Sequence, residues 1–297
     1  MSEDELLDLI GRHLPPSTAP VPTGDDCAVL APTGQVAVST DILVESIHFR
    51  TDWSSGADVG WRCVMQNVAD AAAMRARPMT LVVAMTIPEH VSPDWVEDFS
   101  IGLREACDHV SALTGPMAVD GGDMSRGPII VASGTVLGDM EGRKPVLRSG
   151  ARPGDLVIHT GNLGASARGL ELLEAGHVGP ETELFRRPVP PVDRALAVEA
   201  RAMMDVSDGL IRDSRRILAK SAVAIDLDSA AIQSAMSPGA TLHQALMGGE
   251  DHGFLATVEP GYVPESWTVI GTVNEGSGVT VDGEPVSELG GWDHFTQ

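Results

Sequence analysis

Met203-Met204-Asp205-Val206-Ser207-Asp208-Gly209-Leu210 is the stretch on which the reading of this fold turns. Residues 203–206 read as a strand, Ser207-Asp208-Gly209 as the turn that ends it, and Leu210 to Ala219 as the helix that follows. A strand that hands an acidic, glycine-containing turn to a helix is the α/β pattern, and the same alternation runs through the rest of the chain.

Working outward toward the C-terminus, Phe254–Val258 and Thr268–Val273 read as strands, and Asp282-Gly283 marks a hairpin. In the other direction, Asp155–Thr160 is strand-like, and Gly161-Asn162-Leu163-Gly164 turns into a helix that runs to Glu174. Arg186–Pro191 is a proline-rich connection with helix signals after it. Gly138–Gly154 is rich in Gly, Arg and Pro, and the domain boundary falls there, separating 1–138 from 139–297. In the first domain, Ser2 and Glu5 form a capping-box pattern ahead of Leu6, Leu7 and Ile10, which predicts a short amphipathic helix. Cys27–Leu30 and Gln35–Thr40 read as strands joined by Ala31-Pro32-Thr33-Gly34. Ala57–Ala76 reads as a helix, Leu81–Ile87 as a strand, and Ser92-Pro93 as the start of a helix reaching Leu113. Met117–Val119 and Ile129–Leu137 are further strands, with Gly121-Gly122-Asp123 as the loop between them.

With 297 residues, 43% of them hydrophobic, the chain is long enough for a full core and about two domains. Its net charge of −22 argues against a nucleic-acid partner, since no basic run offsets it. No window has the apolar length of a membrane span, and the acidic Met1–Glu5 is unlike a secretory signal, so a cytoplasmic protein is expected. Cys27, Cys63 and Cys107 are far apart and read as reduced thiols, Cys27 as a buried one. Lys144 and Lys220 are the only lysines, and neither lies in a G-x-x-x-x-G-K-[ST] motif, which excludes a P-loop kinase.

Five acidic signatures stand out: Gly24-Asp25-Asp26, Ser39-Thr40-Asp41, Asn67-Val68-Ala69-Asp70, Gly121-Gly122-Asp123 and Asp205-Val206-Ser207-Asp208-Gly209. Each sets a carboxylate beside Gly, Ser, Thr or Asn, a donor set that suits Mg²⁺. That ion takes one or two protein carboxylates and fills its octahedron with water and substrate phosphates. Several Mg²⁺ ions with a polyphosphate are the expectation. Read one at a time, the same residues have plainer roles. Asp25 and Asp26 suit a turn, Asp70 a helix-end cap, His48 a core or surface position, and Gly161–Gly164 a simple strand-to-helix turn.

The signatures also resemble, in order and spacing, the thiamine-monophosphate kinase family of the aminoimidazole ribonucleotide synthase-like superfamily. The matching segments are GDDCAVL (24–30), STDILVESIHF (39–49), NVADAAAM (67–74), VDGGDMSRGP (119–128), LRSGARPGD (147–155), DVSDGL (205–210), GGEDH (248–252) and GWDHF (291–295). The resemblance implies a two-domain α/β (α+β) architecture, with an N-terminal mixed-sheet domain that pairs into a homodimer and a C-terminal α/β domain. It implies Mg²⁺-assisted transfer of a phosphoryl group from ATP to thiamine monophosphate. It also implies Asp26, Ser39, Thr40, Asp41, Asp70, Asp123, Asp205 and Asp208 as Mg²⁺ ligands, with Asp70, Asp123 and Asp205 central to catalysis. Gly122, Asp123, Arg148 and Ser207 would touch ATP, and His48, Glu250 and Trp292 would touch thiamine monophosphate.

Two positions depart from the family: His252, where Tyr is frequent, and Trp292, where Tyr or Phe is usual. A phosphate-monoester acceptor, with a second pKa of about 6, is already largely deprotonated near neutrality and needs no general base. That fits a chain with many oxygen ligands and no evident nucleophile. A related ligase or synthase, a metal-dependent phosphatase and a non-catalytic nucleotide-binding scaffold are the competing readings.

Overall fold

The computed structural model describes residues 3–24, 26–287 and 290–291, and within it the chain forms two compact units. Residues up to Lys144, apart from Ala73–Arg75, make the first, and those three residues with the chain from Pro145 onward make the second.

In the first unit, α1 (Glu3–His13) precedes β1 (Val36–Val44), α2 (Gly56–Ala73), β2 (Arg77–Ile87), α3 (Pro93–Thr114), β3 (Ala118–Arg126) and β4 (Val131–Asp139). The four strands form one mixed sheet in the order β1-β4-β2-β3, with β2 and β3 parallel and the other pairs antiparallel. Strand alternation gives the sheet two unlike faces. On β4, Ala132, Gly134, Val136 and Gly138 are buried. A side chain at Gly134 would collide with Asn67 and Cys63 of α2, so glycine there is what lets the helix lie close. On the other face Val38, Ile42 and Val82 remain exposed. Helix α3 starts as the sequence predicts: the Ser92 hydroxyl accepts the Trp95 N–H at 3.2 Å, and Pro93 takes the first helical position.

Two expectations fail here. Cys27–Leu30 is not a strand, because among the described residues its only pairing is an isolated bridge between Val29 and Val21. Gly121-Gly122-Asp123 is not a loop but the middle of β3, where the three residues pair with Val82, Val83 and Ala84 of β2. Long-range parallel pairing overrides the loop preference of the two glycines.

The second unit contains β5 (Leu156–Thr160), α4 (Ala165–Glu174), a 3₁₀ turn (Pro180–Thr182), α5 (Glu183–Arg186), α6 (Val192–Ala197) and β6 (Ala202–Val206). These are followed by α7 (Leu210–Ser221), β7 (Ala224–Leu227), α8 (Ser229–Ala235), α9 (Leu242–Met247), β8 (Gly253–Val258), β9 (Thr268–Asn274), β10 (Gly278–Val281) and β11 (Glu284–Pro285). Its sheet has seven strands in the order β11-β10-β7-β9-β5-β8-β6. Every residue of β6 and β8 is buried, and apart from Asp205 and Thr257 the two strands carry apolar residues and glycine. Helix α7 turns Leu210, Ile211, Ser214 and Ile217 into this core and carries Arg212, Arg215 and Arg216 on its more accessible side. No described helix is long and apolar enough to cross a membrane.

His159 of β5 is 2% exposed, its Nε2 has no hydrogen-bond partner, and burial pushes its pKa from 6.5 down to about 3. The unfolded chain therefore binds this proton as pH falls below 6.5, while the folded chain stays neutral until about 3. Stability from this residue is complete above the unfolded value and is lost on acidification, at up to ~1.4 kcal/mol per pH unit. Urea unfolding between pH 7 and 4 is expected to show a shallower pH dependence for His159→Leu than for the wild type. Parallel curves would show that the ring takes up a proton in the folded state.

Candidate active site

The first unit gathers part of the acidic set on one face of its sheet. On β1, Ser39 and Asp41 alternate with exposed Val38, Thr40 and Ile42, which places them on the side that faces α2. Asp70 lies one turn beyond Asn67 and two beyond Cys63 on α2, the spacing that aligns side chains along one helical face. The Ser39 hydroxyl donates to Asp70 Oδ2 at 2.5 Å. Burial, with the Asp41 charge adding to it, pushes the Cys63 thiol up to about 12, which places the Asp41 carboxylate near the same helix. Asn67 is fully buried and donates its Nδ2 to the Cys63 carbonyl at 2.8 Å, while its Oδ1 has no hydrogen-bond partner.

Thr40 points the other way. Its hydroxyl donates to the Gly134 carbonyl at 2.9 Å and lies 3.0 Å from that of Thr135, so its side chain does not join Ser39 and Asp41. Asp26 is exposed, as is Asp123, whose Oδ1 accepts the N–H of its neighbour Met124 at 2.9 Å. Gly122 stands where any side chain would strike the Val83 carbonyl. The His48 turn is held from both sides: Nδ1 accepts the Val44 N–H at 3.0 Å, and the His48 carbonyl accepts from buried Arg62 at 2.9 Å. The first of these bonds places the ring proton on Nε2.

The second unit brings the 205–209 and 248–252 signatures together through their backbones. The Glu250 N–H donates to the Ser207 carbonyl at 2.7 Å and the His252 N–H to the Val206 carbonyl at 3.0 Å. Asp205, at the buried end of β6, has His252 Nδ1 at 3.4 Å, and His252 Nε2 lies 3.4 Å from Glu250 Oε2, an ion-pair distance without hydrogen-bond geometry. Burial opposes a charge on the His252 ring, but the two carboxylates outweigh it and raise its pKa, so the ring is an imidazolium at neutral pH.

Asp208 is engaged by a cation of its own chain. Arg216 pairs with its carboxylate and also with Asp213 at 2.6 Å, and Asp213 accepts the N–H groups of Asp208 and Gly209 at 3.0 and 3.2 Å. Burial, then the Asp205 charge, raises the Asp213 pKa against the pull of Arg216. Sequence reasoning passed over Asp213 and Arg216, although Asp208, Arg212 and Arg216 at four-residue intervals are a legible charge pattern. It noticed His252 only as a departure and gave it no role.

The start of α4 is a turn and not a phosphate cradle, since the Gly164 and Ser166 N–H groups are bound by the Asp251 carboxylate at 2.5 and 2.8 Å. Arg148 is exposed and its side chain makes no hydrogen bond or ion pair among the described residues, while its carbonyl accepts from Ser221 at 3.0 Å. Trp292 lies outside the described residues.

Among the described residues, no group of three or more His, Cys, Asp or Glu side chains is gathered tightly enough to hold a metal by itself. What each unit offers is one or two carboxylates with hydroxyl and amide oxygens beside them. That is a hard, incomplete donor set of the kind Mg²⁺ shares with phosphate oxygens and water.

The AIR synthase related protein N-terminal domain matches residues 24–140, and the corresponding C-terminal domain matches 152–284. The thiamine-monophosphate kinase of Mycobacterium tuberculosis H37Rv is 40% identical, across 99% of this chain and 92% of that protein. The crystal structure of thiamine-monophosphate kinase from Stenotrophomonas maltophilia K279a superposes with a TM-score of 0.80 at 31% identity, covering 96% of this chain and 98% of that one. AaThiL complexed with AMPPCP and TMP gives 0.79 at 32% identity, covering 99% and 97%. The chain belongs to the AIR synthase-related proteins and, among them, to the thiamine-monophosphate kinase family.

The cysteines differ from the expectation in one respect: Cys27 is exposed, whereas Cys63 and Cys107 are buried. The segment around Cys27 forms no strand that would carry it inward. Burial raises both inner thiols, so only Cys27 should react quickly with a thiol reagent in the native protein, and all three after unfolding. Rapid native labelling of a second cysteine would contradict this packing.

Proposed function

We propose that this chain transfers the γ-phosphoryl group of ATP to the phosphate of thiamine monophosphate, giving thiamine diphosphate and ADP. The observation that carries the reading is the end-to-end likeness to thiamine-monophosphate kinases, including a protein solved with AMPPCP and TMP. The residues agree with it. Such a reaction asks for charge neutralisation and alignment rather than covalent chemistry.

Asp26, Ser39, Asp41, Asp70 and Asp123 in the first unit, and Asp205 and Asp208 in the second, are the proposed Mg²⁺ ligands, with Thr40 taking part only through its main chain. When bound, Mg²⁺ would supply positive charge to offset the negative charge that builds during transfer. Asn67 Oδ1, a buried oxygen without a hydrogen-bond partner, supports a cation or its water near Asp70. For Asp208 to ligate, its carboxylate must be shared with Arg216.

Gly122, Asp123, Arg148 and Ser207 are the proposed ATP contacts. Arg148 suits the role as an exposed guanidinium with no partner among the described residues, in a chain of net charge −22. His48 would offer its Nε2 proton to the acceptor phosphate, and Glu250 with Trp292 would favour the thiazolium cation. No general base is required, because the acceptor is already an anion.

We also propose a homodimer formed through the first unit's open sheet face, where Val38 is 65% and Ile42 51% exposed. Such an apolar face is not left to water when a second copy can cover it. Sedimentation of a Val38→Lys, Ile42→Lys double variant should give monomer where the wild type gives dimer. A monomeric wild type would end this part of the reading.

The assay for the activity is ATP, Mg²⁺ and thiamine monophosphate with purified protein. It should yield equimolar thiamine diphosphate and ADP and leave thiamine unchanged; free phosphate without thiamine diphosphate would make the chain a phosphatase. Asp70→Asn should keep the native circular dichroism spectrum and lose at least ~100-fold in kcat. Near wild-type turnover at saturating ATP and Mg²⁺ would remove Asp70 from the site.

A further inference from the structure

Glu250 and His252 both adopt the left-handed backbone region, with φ of 68° and 50°, and neither is a glycine. Side chains of this size are uncommon there, and the conformation persists only where the surroundings over-determine it. Here five hydrogen bonds converge on the two strained residues and the one between them. The Glu250 N–H is tied to Ser207 and the His252 N–H to Val206, and the Glu250 carbonyl accepts the Ser166 hydroxyl at 2.7 Å. Between them, Asp251 is 3% exposed and spends both carboxylate oxygens on the N–H groups of Gly164 and Ser166, at 2.5 and 2.8 Å.

Helix α4 has Gly164 at its N-cap position and no side-chain cap of its own, so a carboxylate 87 residues further along the chain does the capping. A local serine or aspartate normally satisfies such N–H groups without straining another segment. The remote arrangement accomplishes something a local cap does not: it ties the direction of Glu250 to the start of a rigid helix.

We propose that Asp251 is a positioning residue for the reaction, a buried carboxylate that holds Glu250 in its left-handed conformation by binding the first N–H groups of α4. This rests on the reading of Glu250 as a contact of thiamine monophosphate. Asparagine cannot replace it, because its amide would set an NH₂ against one of two inward-pointing N–H groups. Ser166 contributes to the same fixation through the Glu250 carbonyl, so Ser166→Ala is the milder test and leaves the cap in place.

The experiment compares Asp251→Asn and Ser166→Ala with Asp228→Ala, which removes the N-cap of α8, whose side chain accepts the Ala231 N–H at 2.9 Å. Two quantities are read: amide hydrogen exchange at Glu250 and His252 without any ligand, and the KM values for thiamine monophosphate and ATP. Exchange at both amides should quicken in Asp251→Asn and, less, in Ser166→Ala, and stay unchanged in Asp228→Ala. The KM for thiamine monophosphate should rise about tenfold in Asp251→Asn with that for ATP held within about twofold, and Asp228→Ala should move neither.

Unchanged exchange in both Asp251→Asn and Ser166→Ala overturns the proposal whatever the activity. Quickened exchange with an unchanged KM for thiamine monophosphate also overturns it, provided that Glu250→Gln raises that KM. If Glu250→Gln leaves the KM alone, the reading of Glu250 as a substrate contact is what fails, and the exchange data still decide whether Asp251 fixes the loop.

Discussion

Acidic side chains outnumber basic ones 42 to 20 in this protein, and every part of the structure has to accommodate that repulsion. A carboxylate removed from water needs donors or a cation, or it does not stay ionised. Most buried ones have donors supplied by the fold. Asp139 accepts the N–H groups of Thr33 and Glu141, Asp251 those of Gly164 and Ser166, and Asp213 those of Asp208 and Gly209 together with the guanidinium of Arg216. These acids are structural because their oxygens are spoken for.

The acids of the signatures are placed differently. Asp70 meets a serine hydroxyl, Asp123 its own neighbour's N–H, and Asp205 a histidine ring at 3.4 Å. Asp208, by contrast, is paired with Arg216. His252 is a second cation there, an imidazolium set between Asp205 and Glu250, and Tyr in the same place would bring no positive charge. In the second unit, therefore, part of the acidic signature is neutralised from within before any ligand binds.

The sequence was most legible where a local signal and the tertiary fold agree. Ser92-Pro93 announces α3 because capping is settled within four residues. The strand-turn-helix of 203–219 is legible because both faces of β6 are buried and α7 is plainly amphipathic. It was least legible where distant pairing decides. The glycines of β3 suggest a loop until Val82–Ala84 of β2 is alongside, and 27–30 suggests a strand that among the described residues pairs only through the bridge to Val21. The side of the sheet on which Thr40 projects follows from alternation along β1 and was available in the sequence. The remote capping of α4 by Asp251 was not, since nothing local links residues 164 and 251.

Direct transfer between two phosphates is the central feature of the proposed reaction, and rapid quenching with γ-labelled ATP and thiamine monophosphate tests it most closely. The label should appear in the terminal phosphate of thiamine diphosphate during the first turnover, with none on the protein at any time point. Label passing through a phosphorylated protein at a competent rate, or released as inorganic phosphate while thiamine monophosphate is unchanged, would contradict it.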